Sequence, residues 1–141
     1  MRQFWIFNIN KEMAILTRKN PYNIYKSLEE IYRMPKEDVD VGLNIFEQLI
    51  KPINIAKINR EIYELFKNND YYSKTNNKHI YYNKYRPEQS ELLLRKTYIL
   101  LNSNVISPAF CKYFVSKKNY FVCDFLNRDY FWFDDFLCIN K

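Results

Sequence analysis

Aromatic and β-branched residues cluster in two short runs near the ends of the chain. The first run covers residues 4–9, and the second covers residues 120–125 and is followed closely by residues 130–133. Runs of this composition between polar flanks are typical of β-strands. We therefore expect the two end runs to be adjacent strands of one small sheet, with residues 130–133 returning as a hairpin strand or lying along its edge.

The region between the two end runs shows mostly the apolar spacing of helices. A short helix is predicted over residues 11–19. Asn20-Pro21 then marks the start of a longer helix, because asparagine is a capping residue and proline fits the first helical turn. Residues 37–51 predict a third helix. Pro52 ends it, because the residue before a proline is disfavoured in the helical conformation.

Two further helices are predicted in the second half of the chain. One starts near Asn54 and has the cleanest helical periodicity of the sequence. The other opens at Pro87-Glu88, because Leu94, Tyr98 and Leu101 share one helical face. Asn76-Asn77 predicts a turn, residues 79–82 suggest a strand, and residues 105–116 fit no single element. The expected fold is one α/β domain over residues 1–141.

Composition narrows the function classes only modestly. The chain has 141 residues, a net charge of +6 and a pI of about 9.1. The basic residues are scattered, and abundant Asn, Lys, Ile, Tyr and Phe reflect AT-rich codons, so the charge by itself does not indicate direct nucleic-acid binding. No apolar run approaches the roughly 20 residues of a membrane helix. Three cysteines without a C-x-x-C motif predict no disulfide framework and favour a reducing cytoplasm.

Residues suited to catalysis or metal binding are sparse. Phosphate-binding loops need several glycines, and the single Gly42 excludes both the dinucleotide-binding fingerprint and the P-loop. His79 is the only histidine. Its simplest interpretation is a surface histidine next to a turn, and a Cys–His pair with Cys111 is the remaining enzymatic hypothesis. We expect no enzyme activity, no metal site and no cofactor.

Tyrosines interleaved with basic residues supply an alternative function. The candidate residues are Tyr81, Tyr82, Lys84, Tyr85 and Arg86. Aromatic and cationic side chains in alternation are suited to stacking on single-stranded nucleic acid. The same residue types favour protein–protein contacts, and a tyrosine-rich strand and loop packed partly on the core also fits the pattern.

Three motifs, in order, resemble one known family. The first is an aromatic strand that runs into I-x-x-E-hydrophobic-A, here Phe4-Trp5-Ile6-Phe7-Asn8-Ile9-Asn10-Lys11-Glu12-Met13-Ala14. The second is a proline step between two helices, here Leu49-Ile50-Lys51-Pro52-Ile53-Asn54-Ile55. The third is F-x-x-D-F-N and a turn into Y-x-W-L, here Phe121-Val122-Cys123-Asp124-Phe125 and Tyr130-Phe131-Trp132-Phe133. In order, spacing and length the chain resembles the SirA family, the sporulation inhibitors of replication of Firmicutes.

This resemblance implies both a fold and a function. The fold is a small α/β domain, whose central sheet of about three strands has its N-terminal and C-terminal strands adjacent and is flanked by about five helices. The function is non-enzymatic: the family binds domain I of the replication initiator DnaA and so limits initiation. The implied partner-binding positions are Met13, Thr17, Gln48, Pro52 and Ile53. The first two depart from the aromatic residues usual in the family.

Overall fold

The computed structural model describes residues 1–35 and 47–135. Its centre is one seven-stranded antiparallel sheet with the strand order β2-β3-β4-β5-β1-β6-β7. The strands are β1 Arg2–Asn8, β2 Tyr72–Thr75, β3 Lys78–Asn83, β4 Glu88–Leu94, β5 Ile99–Ser103, β6 Tyr120–Asp124 and β7 Asp129–Trp132. The expectation of a sheet of about three strands flanked by about five helices is therefore wrong.

The largest error concerns residues 88–103, predicted as part of a fifth helix and observed as β4 and β5. Leu92 pairs with Leu101 and Leu94 pairs with Ile99, and all four side chains are buried. Their spacing within each strand is two residues, which is the period of a strand. The turn at residues 95–98 separates the two strands. Along the sequence, the separation of Leu94 and Leu101 across this turn also fits the period of a helix, and this coincidence explains the wrong prediction. Pairing with β3 and β1 decides the conformation, because strand preference depends strongly on tertiary context.

The expected pairing of the two ends is confirmed. β1 and β6 are antiparallel neighbours, with Ile6 opposite Val122. β7 returns as a hairpin strand on β6, with Trp132 opposite Phe121. The turn at Asn76-Asn77 is also observed, between β2 and β3, and Asn76 has a φ of 53° there. Asparagine tolerates this left-handed conformation better than most residues.

Residues 133–135 are helical, and four further helices lie wholly within the part of the chain that the structure describes. They are α1 Lys11–Thr17, α2 Pro21–Tyr32, α3 Ile55–Phe66 and α4 Cys111–Phe114. The helices predicted at residues 11–19, from Asn20-Pro21 and from Asn54 are confirmed. The Asn54 side chain caps α3 by accepting a hydrogen bond from the Lys57 amide at 3.2 Å. Most of the helix predicted at 37–51 falls on residues 36–46, outside the described residues; residues 47–49 are helical.

Helices cover both faces of the sheet. On one face, Ile62 of α3 and Phe114 of α4 pack in a core that includes Ile6 of β1. On the other face, Leu28 of α2 belongs to a second core that includes Phe7 of β1. β1 serves both cores because successive side chains of a strand point to opposite faces. No helix within residues 1–35 and 47–135 is long and apolar enough to cross a membrane.

The buried Asp124 closes the turn between β6 and β7. Its carboxylate accepts hydrogen bonds from the Asn127 amide at 3.1 Å, from the Asn127 side chain at 2.7 Å and from Arg2 Nε at 3.0 Å. Burial by itself would raise the pKa of Asp124, but these hydrogen bonds outweigh burial and hold the pKa below its usual value. This carboxylate is therefore a structural group that remains charged.

Candidate partner-binding site

Main-chain hydrogen bonds join the end of β1 to the mid-chain proline step. The Asn10 amide donates to the Leu49 carbonyl at 2.8 Å, and the Lys51 amide donates to the Asn8 carbonyl at 2.7 Å. Ile9 and Ile50 form an isolated antiparallel bridge between these two bonds. The segment that leads into α1 and the segment that leads into Pro52 therefore lie side by side.

The proline-step residues differ in what they present to solvent. Gln48 and Pro52 are exposed. Ile53 is 6% exposed and belongs to the core beneath α3. Its amide donates to the Lys96 carbonyl at 2.7 Å. Ile53 therefore anchors the step and positions Pro52, and its own side chain offers little surface to a partner.

The α1 residues Met13 and Thr17 are both half-buried. Met13 packs against the core under α2, and the Thr17 hydroxyl donates to the Met13 carbonyl at 2.6 Å. Residues four apart on a helix lie one above the other. Met13 and Thr17 therefore share one face of α1.

Leu16 is a surface residue of α1 that the sequence did not single out. Four consecutive apolar residues, 13–16, wrap around the helix because each residue turns by about 100°. Only Ala14 among them is buried, whereas Ile15 is 70% and Leu16 is 73% exposed. Leu16 lies three residues after Met13 and beside Thr17, so it joins their face. The sequence did contain a sign that some of these residues are exposed, because a helix that packs along one side cannot bury four apolar residues in a row.

Arg18 ties the end of α1 to the residues after β7. Its Nη2 atom lies 2.9 Å from an Asp134 oxygen and 2.8 Å from an Asp135 oxygen. Its guanidinium carbon lies 5.0 Å from the centroid of the Trp132 ring. These contacts restrain the orientation of α1, so the face that carries Leu16 is held relative to the sheet.

The residues proposed for the nucleic-acid alternative lie at the other end of the sheet. Lys84, Tyr85 and Arg86 form the turn between β3 and β4, where the Asn83 side chain accepts hydrogen bonds from the Tyr85 and Arg86 amides. β4 begins at this turn, level with the start of β1, as the pairing of Ser90 with Ser103 and of Ser103 with Arg2 shows. The proline step instead contacts the end of β1.

The tyrosines of this region do not form one stacking platform. Tyr81 is half-buried, and its ring centroid lies 6.3 Å from that of Phe110 in the core. Tyr82 is exposed on the opposite face of β3, because neighbours on a strand alternate. A platform for successive bases needs aromatic rings on one accessible face. The arrangement therefore gives no support to the nucleic-acid alternative.

His79 is fully buried, so the expectation of a surface histidine is wrong. Its Nδ1 accepts a hydrogen bond from the Tyr72 hydroxyl at 2.7 Å, and its Nε2 donates to the Asn59 side-chain oxygen at 2.8 Å. Both ring nitrogens are occupied by structural partners. Burial raises the pKa of the Cys111 thiol to about 12. The Cys–His pair therefore lacks both a free base and an accessible thiolate.

The described residues offer no metal site either. No three His, Cys, Asp or Glu side chains among them come together to hold an ion.

His79 should make folding stability depend on pH. Burial, with a smaller contribution from the positive charge of Lys74, lowers the pKa of His79 from 6.5 to about 4. The unfolded chain then binds a proton at a higher pH than the folded chain, so stability is full above about pH 6.5 and is lost as the pH falls towards 4. The loss is expected to be roughly 1–3 kcal/mol. Urea unfolding at several pH values measures it.

The matched variant for this measurement is H79Q, which removes the titration. The slope of unfolding free energy between pH 6.5 and 4 should be flatter in this variant than in the wild type. An equal slope in both proteins would mean that another group carries the dependence.

Comparison with known proteins adds one match that spans nearly the whole chain. A family model with the description "Sporulation inhibitor of replication protein SirA" matches residues 2–136. No curated protein matches the chain. The matched range contains every described strand and helix, including β1, α1 and the proline step.

Proposed function

Because this chain belongs to the SirA family, we propose that it inhibits initiation of chromosome replication by binding domain I of the initiator DnaA. The family description, a sporulation inhibitor of replication, supports the process. The resemblance of residues 4–14 and 49–55 to the family's motifs supports the partner. The proposed activity is regulatory and needs no catalytic group.

The observation that carries the proposed surface is the pair of main-chain hydrogen bonds between residues 8–10 and 49–51. Two segments that are distant in the sequence become neighbours through these bonds. This proximity supports the proposal that the positions taken from the family's motifs belong to one surface rather than two separate ones. The proposed surface consists of Met13, Leu16, Thr17, Gln48 and Pro52, and the buried Ile53 supports it from below.

Leu16 adds apolar area where the family's aromatic residues are replaced by Met13 and Thr17. An isoleucine or leucine side chain that moves from water into an interface contributes about 1.5–3 kcal/mol. Leu16 is 73% exposed, so most of this contribution is still available to a partner. We infer that the surface binds through aliphatic contacts around Leu16 and Pro52.

Calorimetric titration with DnaA domain I from the same organism tests the proposal. The wild type is expected to bind, and P52E is expected to bind at least ten-fold more weakly, because a charge would enter the apolar centre of the interface. A control is P87E, since Pro87 is also exposed but lies in the β3–β4 turn. The absence of wild-type binding at about 100 µM, or about −5.5 kcal/mol, would refute the proposal.

A further inference from the structure

A third segment contacts the proline step at the same end of the sheet. It is the turn between β4 and β5, closed by a hydrogen bond of 2.9 Å from the Arg95 amide to the Tyr98 carbonyl. The Lys96 carbonyl in this turn accepts the Ile53 amide at 2.7 Å. Because Ile53 directly follows Pro52, the turn lies immediately beside the surface assigned to the partner. Neither the spacing of residues nor the family's motifs pointed to it.

The adjoining turn and step carry three exposed cations, Lys51, Arg95 and Lys96. None of them forms an ion pair with a carboxylate in the described ranges 1–35 and 47–135. Arg2 and Arg18, by contrast, each contact two aspartates. The described acids nearest in sequence are Glu47, which is exposed, and Glu91 of β4, whose carboxylate lies 3.5 Å from the Lys78 ammonium. The positive charge of the turn and step is therefore not neutralised by an ion pair within the described residues.

We propose that the Arg95–Thr97 turn is part of the partner-binding surface, and that Lys51, Arg95 and Lys96 face carboxylates on the partner. This inference rests on the proposed function, because it takes DnaA domain I as the partner. Charges of one sign at the border of an apolar contact attract a partner of the opposite sign before the two surfaces dock. The aliphatic centre around Leu16 and Pro52 then determines how long the complex lasts, and the cationic border determines how fast it forms.

Association kinetics with DnaA domain I test this division of roles. The double variant R95E/K96E reverses both charges of the turn and leaves the Lys96 carbonyl in place to accept the Ile53 amide. Its association rate constant at low salt is expected to fall about ten-fold or more, with a smaller change in dissociation. The difference from wild type should shrink with added salt, since the screening length falls from about 10 Å at 0.1 M to about 3 Å at 1 M.

The matched control is K84E/R86E. It also replaces one lysine and one arginine in an exposed turn of the same sheet and changes the net charge equally, but it lies at the opposite end. The control should associate much faster than R95E/K96E. The single variant K51E repeats the test from the proline step, and thermal unfolding checks that each variant is folded.

The outcomes separate the two proposals. Binding of the wild type with equal association rates for R95E/K96E and K84E/R86E would overturn the role of the turn and leave the proposed function standing. The absence of wild-type binding would overturn both. A rate loss confined to R95E/K96E and K51E, and reduced by salt, is the expected result.

Discussion

The substitution L16E is expected to weaken binding to DnaA domain I about thirty-fold or more. The few residues that carry most of the binding energy of an interface cost about 2 kcal/mol or more when they are truncated, and a buried charge adds a desolvation cost. Leu16 is 73% exposed in the free protein, so the new carboxylate stays in water there and folding is unaffected. The effect should therefore appear in the affinity and not in the free energy of unfolding. Calorimetry and urea unfolding measure the two quantities.

Leu126 provides the matched control for this prediction. It is 90% exposed in the turn between β6 and β7, which leaves the sheet at the end where β1 begins. The substitution L126E makes the same chemical change away from the proposed surface and should leave the affinity unchanged. If both variants bind as tightly as wild type, α1 does not supply the apolar centre of the interface.

The substitution F110A is expected to cause the largest loss of stability, about 3–5 kcal/mol. Phe110 is fully buried directly before α4. Its ring centroid lies 5.3 Å from that of Phe66 in α3, 6.4 Å from Tyr72 in β2 and 6.3 Å from Tyr81 in β3. Removing the ring opens a cavity where a helix and two strands meet, and the surrounding backbone can close it only in part. Urea unfolding measures the loss.

Two comparisons make the F110A measurement specific. F110L keeps much of the apolar volume and should lose distinctly less stability, since the penalty grows with the cavity. L126A removes a side chain that is 90% exposed and should change stability by no more than about 0.5 kcal/mol. A loss for F110A as small as that for L126A would show that the aromatic cluster does not hold α3 to the sheet.

Local patterning identified the elements whose period is unambiguous. α3 was predicted correctly because Ile58, Ile62 and Phe66 recur at helical spacing. The structure buries all three side chains. β1 and β6 were evident because their aromatic and β-branched runs stand between polar flanks. Composition excluded phosphate-binding loops, since Gly42 is the only glycine. The order of three motifs suggested the family that the match over residues 2–136 then established.

The sequence pattern gave a wrong prediction where the same residues fit both the period of a helix and the period of a strand. Residues 88–103 contain a spacing of leucines that suits a helix, and the residue type itself favours one. They form β4 and β5 because alternate positions meet partners on the neighbouring strands, with Leu92 opposite Leu101. Together with β2 and β3, these two strands make the observed sheet one of seven strands rather than about three.

The sequence by itself thus determined the helix that follows the proline step, the strands at the two ends and the family. Only the tertiary structure decided which segments lie side by side. The bonds from Asn10 to Leu49 and from Ile53 to Lys96 join three segments that are far apart along the chain. Main-chain hydrogen bonds of this kind do not depend on side-chain identity, so they leave no local pattern in the sequence. The exposure of Leu16 was likewise settled by which side of α1 packs on the core.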